Sequence, residues 1–197
     1  MDVFTTINNL SITNDHDILE IGPGETPLGL EINLGNSRYE TVDIATIKTI
    51  STNHIHYTVD FLQFETIKKY DLIVDRCCLH EQAPKKRLDY LNKIHFLLKD
   101  NGKYFCEHAV NHKNLSFKED NLLFDNETNC LIEQENNQIS ICKYIPSALE
   151  IEQELKSSKF KINSFYCHPG KKIICNRKDP TPRNHDPDHL FFIVQKN

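Results

Sequence analysis

The chain has 197 residues, 39% hydrophobic and 26% charged, with a formal net charge of −5; that balance suits one globular domain burying ~70% of its unfolded surface and excludes a disordered chain. The acidic balance argues against a general nucleic-acid binder, which needs a basic footprint. Seven scattered cysteines suit reduced thiols in a cytoplasmic protein, and the sequence has neither an apolar run of ~18–20 residues for a membrane span nor a basic-then-apolar leader.

In chain order, Asp17–Ile21 reads as a first strand that breaks into Gly22-Pro23-Gly24, a sharp turn leaving backbone amides free for a ligand. Tyr39–Ile44 is the second strand and His56–Val59 the third, running into Asp60-Phe61. Tyr70–Val74 is the fourth, continuing as Asp75-Arg76-Cys77-Cys78-Leu79-His80-Glu81. Lys85–Leu98 carries Leu88, Leu91, Ile94 and Leu98 at helical spacing. A turn over Leu98–Gly102 leads to a fifth strand, Lys103–Cys106, followed by Glu107-His108. Glu150–Lys159 is a helix, Phe160–Tyr166 a sixth strand and Leu190–Val194 a seventh.

This alternation predicts a single α/β domain over 1–197, doubly wound and Rossmann-like, with a mostly parallel sheet covered on both faces. Two stretches exceed the repeat. Residues 108–146 hold a hairpin, Cys130–Glu133 with Gln138–Lys143, and read as a lid-like insertion; 167–189 is a long Pro- and His-rich connection.

Ligands of such sheets sit beyond the carboxyl ends of the strands. There the sequence places glycines, then Asp43, where an acid can accept from ribose hydroxyls, then Asp60 beside Phe61, an acceptor next to an aromatic that suits an amino-bearing purine. Pro27 stands at the third position of a dinucleotide fingerprint, and no phosphate-binding G-x-x-x-x-G-K-[ST] loop occurs, so the slot suits ribose and adenine without phosphate.

Residues Glu20–Gly24, Asp43, Asp60-Phe61, Asp71–Val74 with Leu79-His80, and Leu98–Tyr104 resemble, in order and spacing, the class I methyltransferases that use S-adenosylmethionine; the resemblance spans 17–106. It implies a seven-stranded sheet with an antiparallel last strand and S-adenosylmethionine as cofactor. It also implies that Glu20 fixes the glycine loop, that Gly22, Pro23 and Gly24 approach the methionine part, and that Asp43 holds the ribose with Ile44 against the adenine. Asp60 and the Phe61 amide would meet the adenine edge, with Asp75 and Arg76 beside the ammonium and sulfonium. Glu25-Thr26-Pro27 replaces glycines common in relatives, and the usual N-terminal helix would be shortened to 2–12 or missing.

Methyl transfer from a sulfonium needs a base only for a protonated acceptor. Candidates are His80, Glu81, Glu107 and His108. The acidic balance and the insertion favour an oxygen or nitrogen of a small-molecule acceptor. Protein or RNA as substrate, served by Lys159, Lys161, Lys171, Lys172, Arg177, Lys178 and Arg183, is the alternative, with a non-catalytic binding protein as the other. Arg76 reads as a substrate clamp or as an ion-pair partner of Asp75, Glu81 or an acid of the insertion. Cys167, His168, Cys175, His185 and His189 match no zinc-site spacing, and no metal is expected.

Overall fold

The computed structural model of the chain describes residues 15–31, 34–35, 37–47, 53–112, 118–119, 122–135, 138–169 and 186–197. The helix expected at 2–12 lies outside them. Strands β1 (Asp17–Ile21), β2 (Arg38–Asp43), β3 (His54–Thr58), β4 (Tyr70–Arg76), β5 (Leu98–Val110), β10 (Phe160–His168) and β11 (Asp188–Lys196) form one seven-stranded sheet, ordered β10-β11-β5-β4-β1-β2-β3. Neighbours are parallel except where β11 pairs, antiparallel on both sides, with β5 and β10. Strand order thus reverses between β1 and β4, where a parallel sheet opens a crevice.

The pleat sorts apolar residues onto two faces. Leu19, Ile21, Val42, Ile73, Tyr104 and Cys106 face one core, covered by helices α2 (Pro84–Leu97) and α3 (Ala148–Ser157). Ile18, Tyr39, Leu72, Val74, Phe105 and Phe191 face the other, where the single turn α1 (Leu28–Glu31) contributes Leu28. Buried residues of α2 are Arg87, Tyr90, Leu91, Ile94 and Leu97. The expected stripe is therefore corrected: Leu88 is 47% exposed, and Leu98 begins β5. The turn expected before the fifth strand lies inside β5. Register with β4 steps from Tyr70↔Leu98 to Leu72↔Lys103, and Asn101 takes the left-handed backbone (φ 63) that releases the bulge.

The 108–146 segment is more than a hairpin. Lys118–Glu119 (β6), Leu122–Asp125 (β7), Cys130–Glu135 (β8) and Gln138–Tyr144 (β9) form a second, antiparallel sheet in sequential order. Phe124 and Leu131 seat it on Ala109 and Ile145, while Leu123 faces solvent. Both ends of the segment meet where Asn111 bridges Ser147. Ser147 then starts α3 with a reciprocal cap, its hydroxyl accepting from the Glu150 amide and the Glu150 carboxylate accepting from the Ser147 amide at 2.7 Å. No helix among the described residues is long and apolar enough to cross a membrane.

Candidate active site

The carboxyl ends of β1, β2 and β3 share one cavity of about 360 Å³, whose lining includes Gly22, Asp43, Ile44, Asp60, Phe61, Cys78 and Glu81. The glycine turn is held from both sides. The Gly22 amide donates to the Val42 carbonyl at 2.8 Å, and its φ of +62° is a backbone that favours glycine. A Cβ at Gly22 would lie 1.8 Å from Cys78 Sγ, whose thiol donates to the Ile21 carbonyl at 3.4 Å. Pro23 is buried under the turn and Gly24 is exposed, its amide 3.3 Å from Asp43 Oδ2.

Glu20 acts on this loop from behind. It projects to the sheet face opposite Leu19 and Ile21, fully buried. There it accepts from the Leu28 amide at 2.8 Å and from the Tyr39 hydroxyl, and pairs with Arg76 Nε at 3.1 Å. Burial raises its pKa against the opposing charge of Arg76. Arg76 also donates to the Thr26 carbonyl. Among the described residues it pairs with Glu20, a carboxylate not among those expected, and Arg76 staples the loop instead of lining the cavity.

Asp43 has one carboxylate oxygen on Gly24 and the other on the Ala45 amide at 2.9 Å. It fixes the loops on both sides of the cavity and still offers lone pairs to a ligand hydroxyl. Asp60 spends Oδ1 on the Leu62 amide at 2.7 Å, closing the turn after β3. Phe61 is buried edge-on against Tyr90 at 4.8 Å, and Ile44 is exposed on the opposite wall.

Asp75 does not reach the cavity, correcting the expectation that it lies beside a ligand's ammonium. It is fully buried, accepting from the Tyr90 hydroxyl at 2.8 Å, the Tyr104 hydroxyl at 3.0 Å and the Cys78 amide at 2.7 Å. Burial pushes its pKa up to about 6 against these hydrogen bonds. Its role is to hold the turn that delivers Cys78 to Gly22. The turn starts at Cys77, a non-glycine residue with φ 82.

Of the four candidate bases, only Glu81 lines the cavity. His108 is buried between Arg87 Nη1, 3.2 Å from Nε2, and the Ala109 carbonyl on Nδ1. A guanidinium only donates, so Nε2 accepts and the proton sits on Nδ1; both nitrogens are committed. His108 is therefore corrected from a base to a structural imidazole. Glu107 faces the other side of the sheet, in an ion pair with His189 at 2.7 Å. That geometry removes it too. His80 is buried, edge-on to His108 at 5.4 Å, with Nε2 3.4 Å from Glu81 Oε1. It touches the site through Glu81.

Two residues that sequence reasoning missed organise this corner. Arg87 is fully buried, with a bidentate pair to Glu154 (2.8 and 2.7 Å) and a hydrogen bond to the Leu79 carbonyl at 2.6 Å. Lys143 of β9 pairs with Glu81. Neither carried a local signal, since their partners lie far away in sequence. Of the basic cluster, Lys159 and Lys161 flank the start of β10, while Lys171, Lys172, Arg177, Lys178 and Arg183 lie outside the described residues, as do Cys175 and His185. Among the described residues, no group of three His, Cys, Asp or Glu gathers as a metal site.

The fold is similar to those of solved methyltransferases. A SAM-dependent methyltransferase from Methanosarcina mazei superposes with a TM-score of 0.71 at 15% identity, over 100% of this chain and 99% of that one. The CcbJ methyltransferase from Streptomyces caelestis gives 0.67 at 10%, over 98% and 88%. Burkholderia thailandensis 1,6-didemethyltoxoflavin-N1-methyltransferase, solved with 1,6-didemethyltoxoflavin and S-adenosylhomocysteine, gives 0.65 at 14%, over 98% and 76%. No protein-family model matches the sequence, and no curated protein does. The chain has the class I methyltransferase fold.

Proposed function

We propose that this chain is an S-adenosylmethionine-dependent methyltransferase acting on an oxygen or nitrogen of a small-molecule acceptor. One observation carries the reading: Gly22, Asp43, Asp60 and Phe61, on three different strand ends, line the same cavity. The donor set fits an adenosine group, with a carboxylate for ribose hydroxyls, a second carboxylate beside an aromatic for the base, and Val42, Ile44 and Val59 as apolar walls. Asp43, Ile44, Asp60 and Phe61 would hold the nucleoside, and Gly22 with Gly24 would border its amino-acid end. When bound, S-adenosylmethionine supplies a methyl group already activated on a sulfonium.

The protein's own contribution is positioning. Glu20, Arg76 and Asp43 fix the loop, and Asp75 fixes the opposing turn, so the walls are set before ligand arrives. Glu81 is a poor proton acceptor. Burial works to raise its pKa, but the hydrogen bonds and charges of His80 and Lys143 outweigh it and hold the carboxyl below its ordinary value. The acceptor must then arrive nucleophilic, and alignment supplies the rate.

Calorimetry tests the reading. Wild type should bind S-adenosylhomocysteine saturably, and Asp43→Ala should weaken binding by roughly 100-fold through the loss of charge-assisted hydrogen bonds. Asp60→Ala, at an exposed turn, is a second variant against misfolding. A flat wild-type titration at millimolar ligand overturns the proposal.

A further inference from the structure

The charged side chains that line the cavity among the described residues, Asp43, Asp60 and Glu81, are all acidic. The first two sit at the ends of β2 and β3, where the adenosine reading above uses them. Glu81 stands apart, on the turn after β4, and that reading leaves it without a task. Its surroundings are built. Oε1 is held by Lys143 Nζ from the inserted sheet and by His80 Nε2 at 3.4 Å, while Oε2 has no hydrogen-bond partner among the described residues and the side chain is 45% exposed. A carboxylate fixed through one oxygen offers the other as a hydrogen-bond acceptor of set direction.

Resting on the methyltransferase reading, we infer that Glu81, positioned by Lys143, recognises the acceptor in this cleft, and that the acceptor class is a small organic cation bearing ammonium or other N–H donors. Lys143 contacts Glu81 through Oε1, which leaves Oε2 to accept from an N–H donor. The Asp43 and Asp60 carboxylates in the same cavity add negative potential, which repels an anionic acceptor and favours a cation. Glu81 anchors this group and does not abstract its proton.

The pair also sets a pH dependence. The groups facing the turn are Lys143 and Tyr144 from β9, Arg87 from α2, His108 from β5, His80 on the turn itself, Asp75 and Cys78 at its head, and Asp43 and Asp60 across the cavity. Of these, Lys143 and His80 hold the Glu81 carboxyl low. Removing Lys143 raises that pKa, so recognition should fail at a higher pH than in wild type.

The test uses the full chain loaded with S-adenosylhomocysteine and two probes of the same shape and opposite charge, benzylamine and benzoate, titrated by NMR. Benzylamine should bind and benzoate should not. Glu81→Gln should weaken benzylamine at least ~10-fold at unchanged S-adenosylhomocysteine affinity. Lys143→Met should shift the acid limb of benzylamine binding to higher pH, and Lys143→Arg should restore it. Equal binding of benzoate, no benzylamine binding, or an unmoved acid limb in Lys143→Met overturns the inference while leaving the methyltransferase reading intact. Failure of wild type to bind S-adenosylhomocysteine sinks that reading instead.

Discussion

At Gly22 two independent constraints fall on one residue. Its φ of +62° costs a non-glycine residue ~1–2 kcal/mol, and the Cys78 sulfur occupies the place of a side chain. Gly22→Ala should therefore lose roughly 2–5 kcal/mol, the backbone cost plus overpacking. Adding Cys78→Ala should return the overpacking part and leave the backbone part. Urea midpoints of the single and double variants separate the two; no recovery in the double variant would show that the sulfur contact carries no cost. The glycine was legible in the sequence from its G-x-G pattern, but the reason for it was not, because Cys78 lies on another strand's turn. The same limit applies to His108. Its position after a strand end advertised a base, whereas its tautomer is set by Arg87, which no local pattern connects to it.

At the scale of elements, Arg87 ties α2 to α3 through Glu154, to the turn after β4 through the Leu79 carbonyl, and to β5 through His108. Tyr144 of β9 lies over it, its ring centre 5.1 Å from the guanidinium carbon. Arg87→Met would strand the Glu154 carboxylate and two buried acceptors, at a cost of about 3–5 kcal/mol. Pairing it with Glu154→Leu should recover part of that loss, since an apolar pair avoids the unpaired charge. Chemical denaturation of the two variants checks this, and an Arg87→Met protein as stable as wild type would contradict it. The helix itself was legible from Leu91 and Ile94, yet its inward face was misplaced by taking Leu88 for core. Leu88 and Arg87 are adjacent, and periodicity alone prefers the leucine; a carboxylate from α3 reverses the choice. The inserted sheet was legible only as its hairpin. Leu122–Asp125 is too short, and too closely flanked by Asn and Asp, to announce a strand whose partner is β8.

Across the whole molecule the sheet divides its labour between its two ends. Carboxyl ends of the strands open the cavity, and the amino ends are clamped by charge around Asp17. Its carboxylate accepts from Arg38 at 2.6 and 2.8 Å and from Lys99 at 2.9 Å, with Lys68 at 3.0 Å, joining β1 to β2, β5 and the approach to β4. The doubly wound class and the acids at strand ends were readable because each depends on a local pattern. The strand order and this clamp depend on pairings between distant segments, which no window of sequence contains. Burial would raise the Asp17 pKa, but hydrogen bonds from Arg38, Lys99 and Lys68 outweigh it and hold the carboxyl well below its ordinary range. A carboxyl with a depressed folded pKa stabilises above its unfolded pKa, near ~4, and loses that contribution as pH falls through the folded value. Asp17→Asn should therefore cost roughly 2–3 kcal/mol at pH ~7, the worth of charge-assisted hydrogen bonds partly screened by solvent on Arg38 and Lys99. That gap should narrow steadily below pH ~4, where the unfolded chain begins to take up a proton at Asp17, and close as pH falls through the depressed folded value. Urea unfolding at neutral and at acid pH measures the gap at both ends of this window. A difference that stays constant between them would mean that geometry and not charge holds the amino edge of the sheet.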